Sequence, residues 1–191
     1  MTEVHPWDPF LPEHCQVLML GSFPPSPKRW SMDFFYPNFT NDMWRIVGLC
    51  FYDDKNHFVD APNKTFRLDI LVPFLRERGI GMYDTATVVR RLRNTAADKD
   101  LEVVEPTDLH ALLRQAPSCR HIVTTGEKAT LLCCAQFGIA SAPAVGSSVA
   151  FPFADREMHL WRMPSSSRAY PLAVERKAEP YRRMFQEIYN P

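Results

Sequence analysis

Two short polar turns, each preceded by an apolar stretch, lie near opposite ends of the chain. Gly21-Ser22-Phe23-Pro24-Pro25 follows residues 16–20, and Pro164-Ser165-Ser166-Ser167 follows residues 158–163. Hydroxyls and main-chain N–H groups in such turns can hold a phosphate or another polar ligand without a charged side chain. Three further groups have chemical capacity. Asp84 ends the apolar run 80–83, and an ionised carboxylate there only accepts, which suits an N–H edge or a held water. It also suits a cap for the turn at Thr85. Asn41 carries an amide that could orient a water or polarise a carbonyl, and it equally fits the N-cap of the helix that follows. Phe34-Phe35-Tyr36 sets three aromatics ahead of that helix. Their planar rings could wall a flat slot or fill the core.

Several chemistries are disfavoured. The first turn lacks the glycines and the Lys-Ser/Thr of a phosphate-cradling P-loop, and the glycine spacing of a dinucleotide fingerprint. Gly-x-Ser-x-Gly does not occur, so a hydrolase nucleophile elbow has no support. Ser22 could still be a nucleophile, but no histidine is evidently placed to activate it. The five cysteines, Cys15, Cys50, Cys119, Cys133 and Cys134, form no C-x-x-C pair. They read as small buried hydrophobes rather than metal ligands.

The elements that must position these groups follow from periodicity. Short apolar runs at 17–20, 80–83, 121–124 and 159–163 read as buried strands. Helical spacing fills 41–51, 65–76 (with Pro73 expected to end or kink it), 107–114, 126–136 and 173–189. Strands alternating with helices predict right-handed crossovers and a helix-covered parallel sheet. Loops leaving its carboxyl ends would then converge on one crevice. Residues 137–155 read as an irregular loop, unless 145–151 joins an edge hairpin.

At 191 residues, 46% hydrophobic and 23% charged, the chain is expected to fold as one domain with a substantial core. Lys+Arg and Asp+Glu balance at 22 each, which neither advertises nor excludes nucleic-acid binding. The basic clusters Lys28-Arg29, Arg90-Arg91-Leu92-Arg93 and Arg182-Arg183 read as solvated faces or phosphate contacts. No run approaches the roughly 20 apolar residues of a membrane span. The first residues lack a signal-peptide pattern, so a cytoplasmic protein without membrane contact is expected.

A strand ending in Gly-Ser-Phe-Pro, an aromatic pair, then Asn41-Asp42-Met43-Trp44 resembles the uracil-DNA glycosylase superfamily, closest to its hypoxanthine (deoxyinosine) DNA glycosylase branch. Met163-Pro164-Ser165-Ser166-Ser167 is similar to that superfamily's second motif. The run 122–129 resembles the strand–Gly–Lys–Ala helix entry between them. The resemblance implies a three-layer α/β/α domain on a mainly parallel four-stranded sheet. It implies a monomer that flips a deaminated base, hypoxanthine or uracil, out of DNA and hydrolyses its N-glycosidic bond without a metal or organic cofactor.

On this resemblance the catalytic positions are Asn41, Asp84 and Ser22. Ser22 stands where other branches place an Asn or Asp that handles the attacking water, and a serine is a poor general base. Tyr36 matches the ring that stacks on the flipped base, with Phe23, Phe35 and Thr125 completing the base pocket. DNA contacts fall to Pro24, Pro25, Pro164, Ser165, Ser166, Ser167 and Arg168. Met163 replaces the His or Asn that begins the second motif in several branches, removing a donor to the departing base. Two other readings stand beside this one: a non-catalytic binder of damaged bases or nucleic acid, and a hydrolase of a nucleoside or small metabolite.

Overall fold

The computed structural model describes residues 1–95 and 97–190. In chain order its elements are β1 (Thr2–Val4), β2 (Val17–Gly21), α1 (Met43–Tyr52), β3 (Val59–Asp60), β4 (Thr65–Phe66), α2 (Leu68–Arg78), β5 (Ile80–Asp84), β6 (Ala86–Arg91), β7 (Leu101–Pro106), α3 (Leu109–Arg114), β8 (His121–Thr125), α4 (Glu127–Phe137), β9 (Ser147–Phe153), β10 (Arg156–Met163) and α5 (Val174–Tyr189). The central sheet has the order β5-β2-β8-β10-β9. Its first four strands are parallel. Every residue of β2 and β5 is buried, as expected for strands covered on both faces.

The sheet has five strands rather than four. The fifth, β9, pairs antiparallel with β10 across a tight turn. Its burial alternates over most of its length, and Pro152 lies within it, both suited to an edge strand with one solvated face. Residues 147–153 therefore close the hairpin that the sequence left open. At the opposite edge, Phe10 and Met82 exchange two main-chain hydrogen bonds of 2.9 Å. The N-terminal segment thereby covers the free side of β5.

Chain travel reverses within the sheet: β2 leads one way to β5, and β8 leads the other way to β10. Right-handed crossovers then place α1 and α2 on one face, α3 and α4 on the other. Packing agrees, with α1 against α5 and α3 against α4. Pro73 does not end α2. The proline loses one main-chain bond, while Leu71, Phe74 and Leu75 stay buried on either side of it and hold the helix to the core.

A second antiparallel sheet, β1-β6-β7, was not expected from the sequence. β6 begins directly after β5, and β1 reaches it from the far N-terminus, pairing Thr2–Val4 with residues 88–90. Its small apolar cluster of Ala86, Val89 and Leu101 is separate from the main core. Among the described residues no helix is long and apolar enough to cross a membrane.

Candidate active site

Register places the chemistry. Gly21 pairs with Asp84 at the ends of β2 and β5, and Met163 pairs with Thr125 at the ends of β10 and β8. β2 and β8 are neighbours whose following helices lie on opposite faces. The crevice beyond their carboxyl ends is thus a topological switch point, where ligands of open α/β sheets bind.

Gly21 is required there by close approach. A Cβ on it would lie 2.7 Å from Asp84 Oδ1 and 3.3 Å from Tyr36 Oη. The Thr85 N–H and hydroxyl both donate to the Gly21 carbonyl, at 2.9 and 3.1 Å, fixing the turn against β5. Tyr36 has a left-handed backbone, φ 52°, a costly state for a bulky residue that is typical of functional sites. Its hydroxyl lies 2.9 Å from Thr125 Oγ1, and its ring meets Trp44 edge-on. Burial of the hydroxyl end, with the nearby Asp84 charge adding to it, pushes the phenol pKa up, so it stays protonated. The ring itself is only half-buried.

Asn41 and the second motif meet at the start of α1. Asn41 is not the N-cap, which is Asp42; the Asn41 Oδ1 accepts from the Met43 N–H at 2.9 Å, a local turn that holds the entry to the helix. Its Nδ2 has no protein partner among the described residues, which leaves a donor for a ligand. Asp42 ties the two motifs together. Its N–H donates to the Ser166 carbonyl at 2.9 Å, and its carboxylate receives Arg168 Nε at 2.6 Å and Lys177 Nζ at 3.0 Å. Lys177, fully buried, also donates to the Ser167 carbonyl at 2.8 Å. A buried ion pair from α1 and α5 thereby clamps the 165–168 turn.

Two groups that sequence reasoning missed complete the site. His5 Nε2–H donates to Asp84 Oδ2 at 2.8 Å, with the imidazole side chain 2% exposed. The Trp7 main chain brackets the other ring nitrogen: its N–H donates to Nδ1 at 3.2 Å and its carbonyl lies 2.9 Å away. The ring also packs on Tyr83 at 4.6 Å. Asp84 thus keeps one oxygen committed to His5 and the other seated against Gly21. The second missed group is Asp98, in the short turn between β6 and β7, which accepts from Ser22 Oγ at 2.5 Å. Burial pushes its pKa up, against the Ser22 hydrogen bond and the Lys128 ammonium, which pull it down, and the Asp84 charge adds to the rise. Lys128 itself anchors the turn, donating to the Leu101 carbonyl. Both missed groups reach the site through the second sheet, so spacing along the chain carried no signal of either.

These residues surround one cavity of about 270 Å³. Ser22, Asn41 and Asp84 line it, as do Phe23, Phe35, Tyr36 and Thr125. Pro24, Pro25, Ser165, Ser166, Ser167 and Arg168 complete that wall with Asp98, Arg29 and Arg91. Pro164 is buried outside the cavity, its carbonyl accepting from Tyr181 Oη at 2.6 Å. Phe35 is 3% exposed and packs on Trp7 and Phe34, so most of its ring belongs to the core. Ser166 is also buried, and Arg168 is exposed at the rim. Met163, 1% exposed, belongs to the core. Arg91 donates to the Pro24 carbonyl at 2.6 Å and to Glu3 at 2.8 Å, bracing the first turn. The five cysteines are free thiols. Among the described residues no group of three His, Cys, Asp or Glu side chains could hold a metal ion.

A solved structure matches this architecture throughout. It is the solution NMR structure of a proposed uracil DNA glycosylase from Methanosarcina acetivorans, 20% identical, with a TM-score of 0.66 and full coverage of both chains. The two chains share one fold. No family model matches the sequence, and no curated protein does.

Proposed function

We propose that this protein is a monofunctional DNA glycosylase that excises a deaminated base, hypoxanthine or uracil, by flipping it into the cavity and hydrolysing its N-glycosidic bond. The observation that carries the reading is the meeting of both polar turns, Asn41, Tyr36 and Asp84 around one crevice at the switch point of the sheet. The shared fold with a proposed uracil DNA glycosylase supports it.

In this reading the half-buried rings of Phe23 and Tyr36 stack on the extruded base, offsetting the few kcal/mol that unstacking costs. The Asn41 amide, held by its carbonyl, donates Nδ2 to the base or to the attacking water. Cleavage develops positive charge on the sugar and negative charge on the base. A carboxylate at Asp84, fixed by His5, faces the first and takes a proton from the water. Donors preorganised toward the base lower the barrier on the other side. Arg29, Arg168 and the Ser165–Ser167 turn hold the phosphates that position the duplex.

The test is alkali cleavage of labelled oligonucleotides carrying a single uracil, hypoxanthine, xanthine or mismatched thymine, in single and double strands. Base-dependent cleavage that Asn41→Ala removes supports a glycosylase and identifies its base. DNA binding with no cleavage of any substrate would replace this reading with a damaged-base binder. Neither binding nor cleavage would favour a metabolite hydrolase.

A further inference from the structure

We propose that Asp98 is a catalytic general acid, delivering a proton to the departing base while Asp84 receives one from the attacking water. The inference rests on the glycosylase reading and adds to it a residue from outside both motif turns.

The site contains two carboxyl groups held by different partners. Asp84 accepts a hydrogen bond from His5 at 2.8 Å and sits at the end of a central strand. Asp98 enters from the other sheet, on the single helical turn Asp98–Asp100 directly ahead of β7, and lines the same cavity. Its nearest hydrogen-bond partner is the Ser22 hydroxyl, which donates to Oδ1. That leaves Oδ2, which lies beside Gly126 at the entrance to α4, where even an added Cβ would stay 3.5 Å away. A neutral carboxyl group held in this way accepts from Ser22 through its carbonyl oxygen and presents an O–H from the other. Burial, with the Asp84 charge beside it, favours that neutral form and outweighs the Ser22 hydrogen bond and the Lys128 ammonium, which oppose it. Two carboxyl groups on one cavity, one able to hand on a proton and the other to take one up, divide naturally into acid and base.

The arrangement also accounts for Ser22. A serine cannot serve as a base at the first turn, but it can orient a carboxyl group supplied from elsewhere. The C1′–N bond breaks and its electron pair stays on the base nitrogen. The Asp98 proton passes to O2 of uracil or N7 of hypoxanthine, so the base leaves neutral. Water adds its oxygen to C1′ and gives its proton to Asp84. Solvent exchange then returns Asp84 and Asp98 to their starting states.

The deciding experiment measures single-turnover excision with a natural base and with a more acidic analogue of it. The pairs are uracil against 5-fluorouracil, or hypoxanthine against 8-azahypoxanthine. A base that leaves readily as an anion has little need of an acid. Asp98→Asn keeps the acceptor for Ser22 and removes the proton. It should slow excision of the natural base by about 10²-fold or more and slow the analogue far less. A purely structural role would slow both equally, and equal losses, or none, would overturn the proposal. Ser22→Ala should show a smaller loss with the same bias. Should Asp98→Asn fail to fold, that variant decides alone, an unbiased loss again overturning the assignment. A wild-type protein that cleaves neither base would overturn the glycosylase reading itself, and the acid assignment with it.

Discussion

In the proposed function Asn41 has two roles in one side chain, and substitutions separate them. Its carbonyl holds the Met43 N–H at the entry to α1, and its amide nitrogen is left for a ligand. Asn41→Ala loses that hydrogen bond and should cost about 1 kcal/mol of stability and lower turnover about 10²-fold or more. Asn41→Asp keeps the accepting oxygen and loses the donor, so its denaturation midpoint should hold while turnover falls. Normal rates in Asn41→Asp would reduce this residue to a holder of the helix entry. Gly21 is a matter of space. Its replacement by Ala sets a methyl group 2.7 Å from the Asp84 carboxylate, and urea denaturation should register a loss of about 1–3 kcal/mol together with reduced excision. Asp98 makes a prediction about pH. Its pKa is raised above the unfolded value of 3.8, so the native state binds the proton more readily and stability declines as pH rises through that window. Asp98→Asn removes the decline. Its melting temperature should exceed wild type at pH 7 and converge with it near the bottom of the acid range. A lower melting temperature at pH 7 would mean that Ser22 and Lys128 more than offset the burial.

At the scale of elements, the second turn depends on a clamp that lies outside it. Asp42 at the head of α1 and the fully buried Lys177 of α5 pair at 3.0 Å, and both bind main chain of the 166–167 segment. Removing one partner leaves a buried charge uncompensated. Asp42→Ala should therefore cost about 3–5 kcal/mol, against the small effect usual for an exposed pair such as Lys55–Glu175. Chemical denaturation of Asp42→Ala beside Glu175→Ala compares them directly, and similar small losses would show that water reaches Lys177. The four parallel strands were legible because each is a short apolar run that ends in a turn residue. β9 was harder to read, since it lies in a stretch rich in turn residues. The second sheet was not legible at all: β6 and β7 carry exposed charges, and β1 is three residues long.

For the whole molecule, a formal charge of zero means that any grip on DNA is local. Exposed cations at the cavity rim, Arg29 and Arg168, stand beside the polar 165–167 turn. Two to four neutralised phosphates would give a slope of about −2 to −4 in log affinity against log salt. Fluorescence anisotropy with a labelled duplex measures it. A flat response would indicate an uncharged small ligand and contradict the proposed function. The small β1-β6-β7 sheet belongs to this scale too. It packs a separate apolar cluster, yet it delivers His5 and Asp98 to a site built on the main sheet.

The α/β class, the parallel strands and the turns that follow them are legible in the chain alone, because burial periodicity and turn chemistry are local properties. So are Asn41, Tyr36 and Asp84, whose types and neighbours are chemically suggestive where they stand. Folding brings His5 to Asp84, Asp98 to Ser22, and Lys177 through Asp42 to the second turn. Those contacts join residues 79, 76 and 135 positions apart. A hydrogen bond between side chains leaves no periodic trace in either segment, so nothing short of the folded chain could pair them.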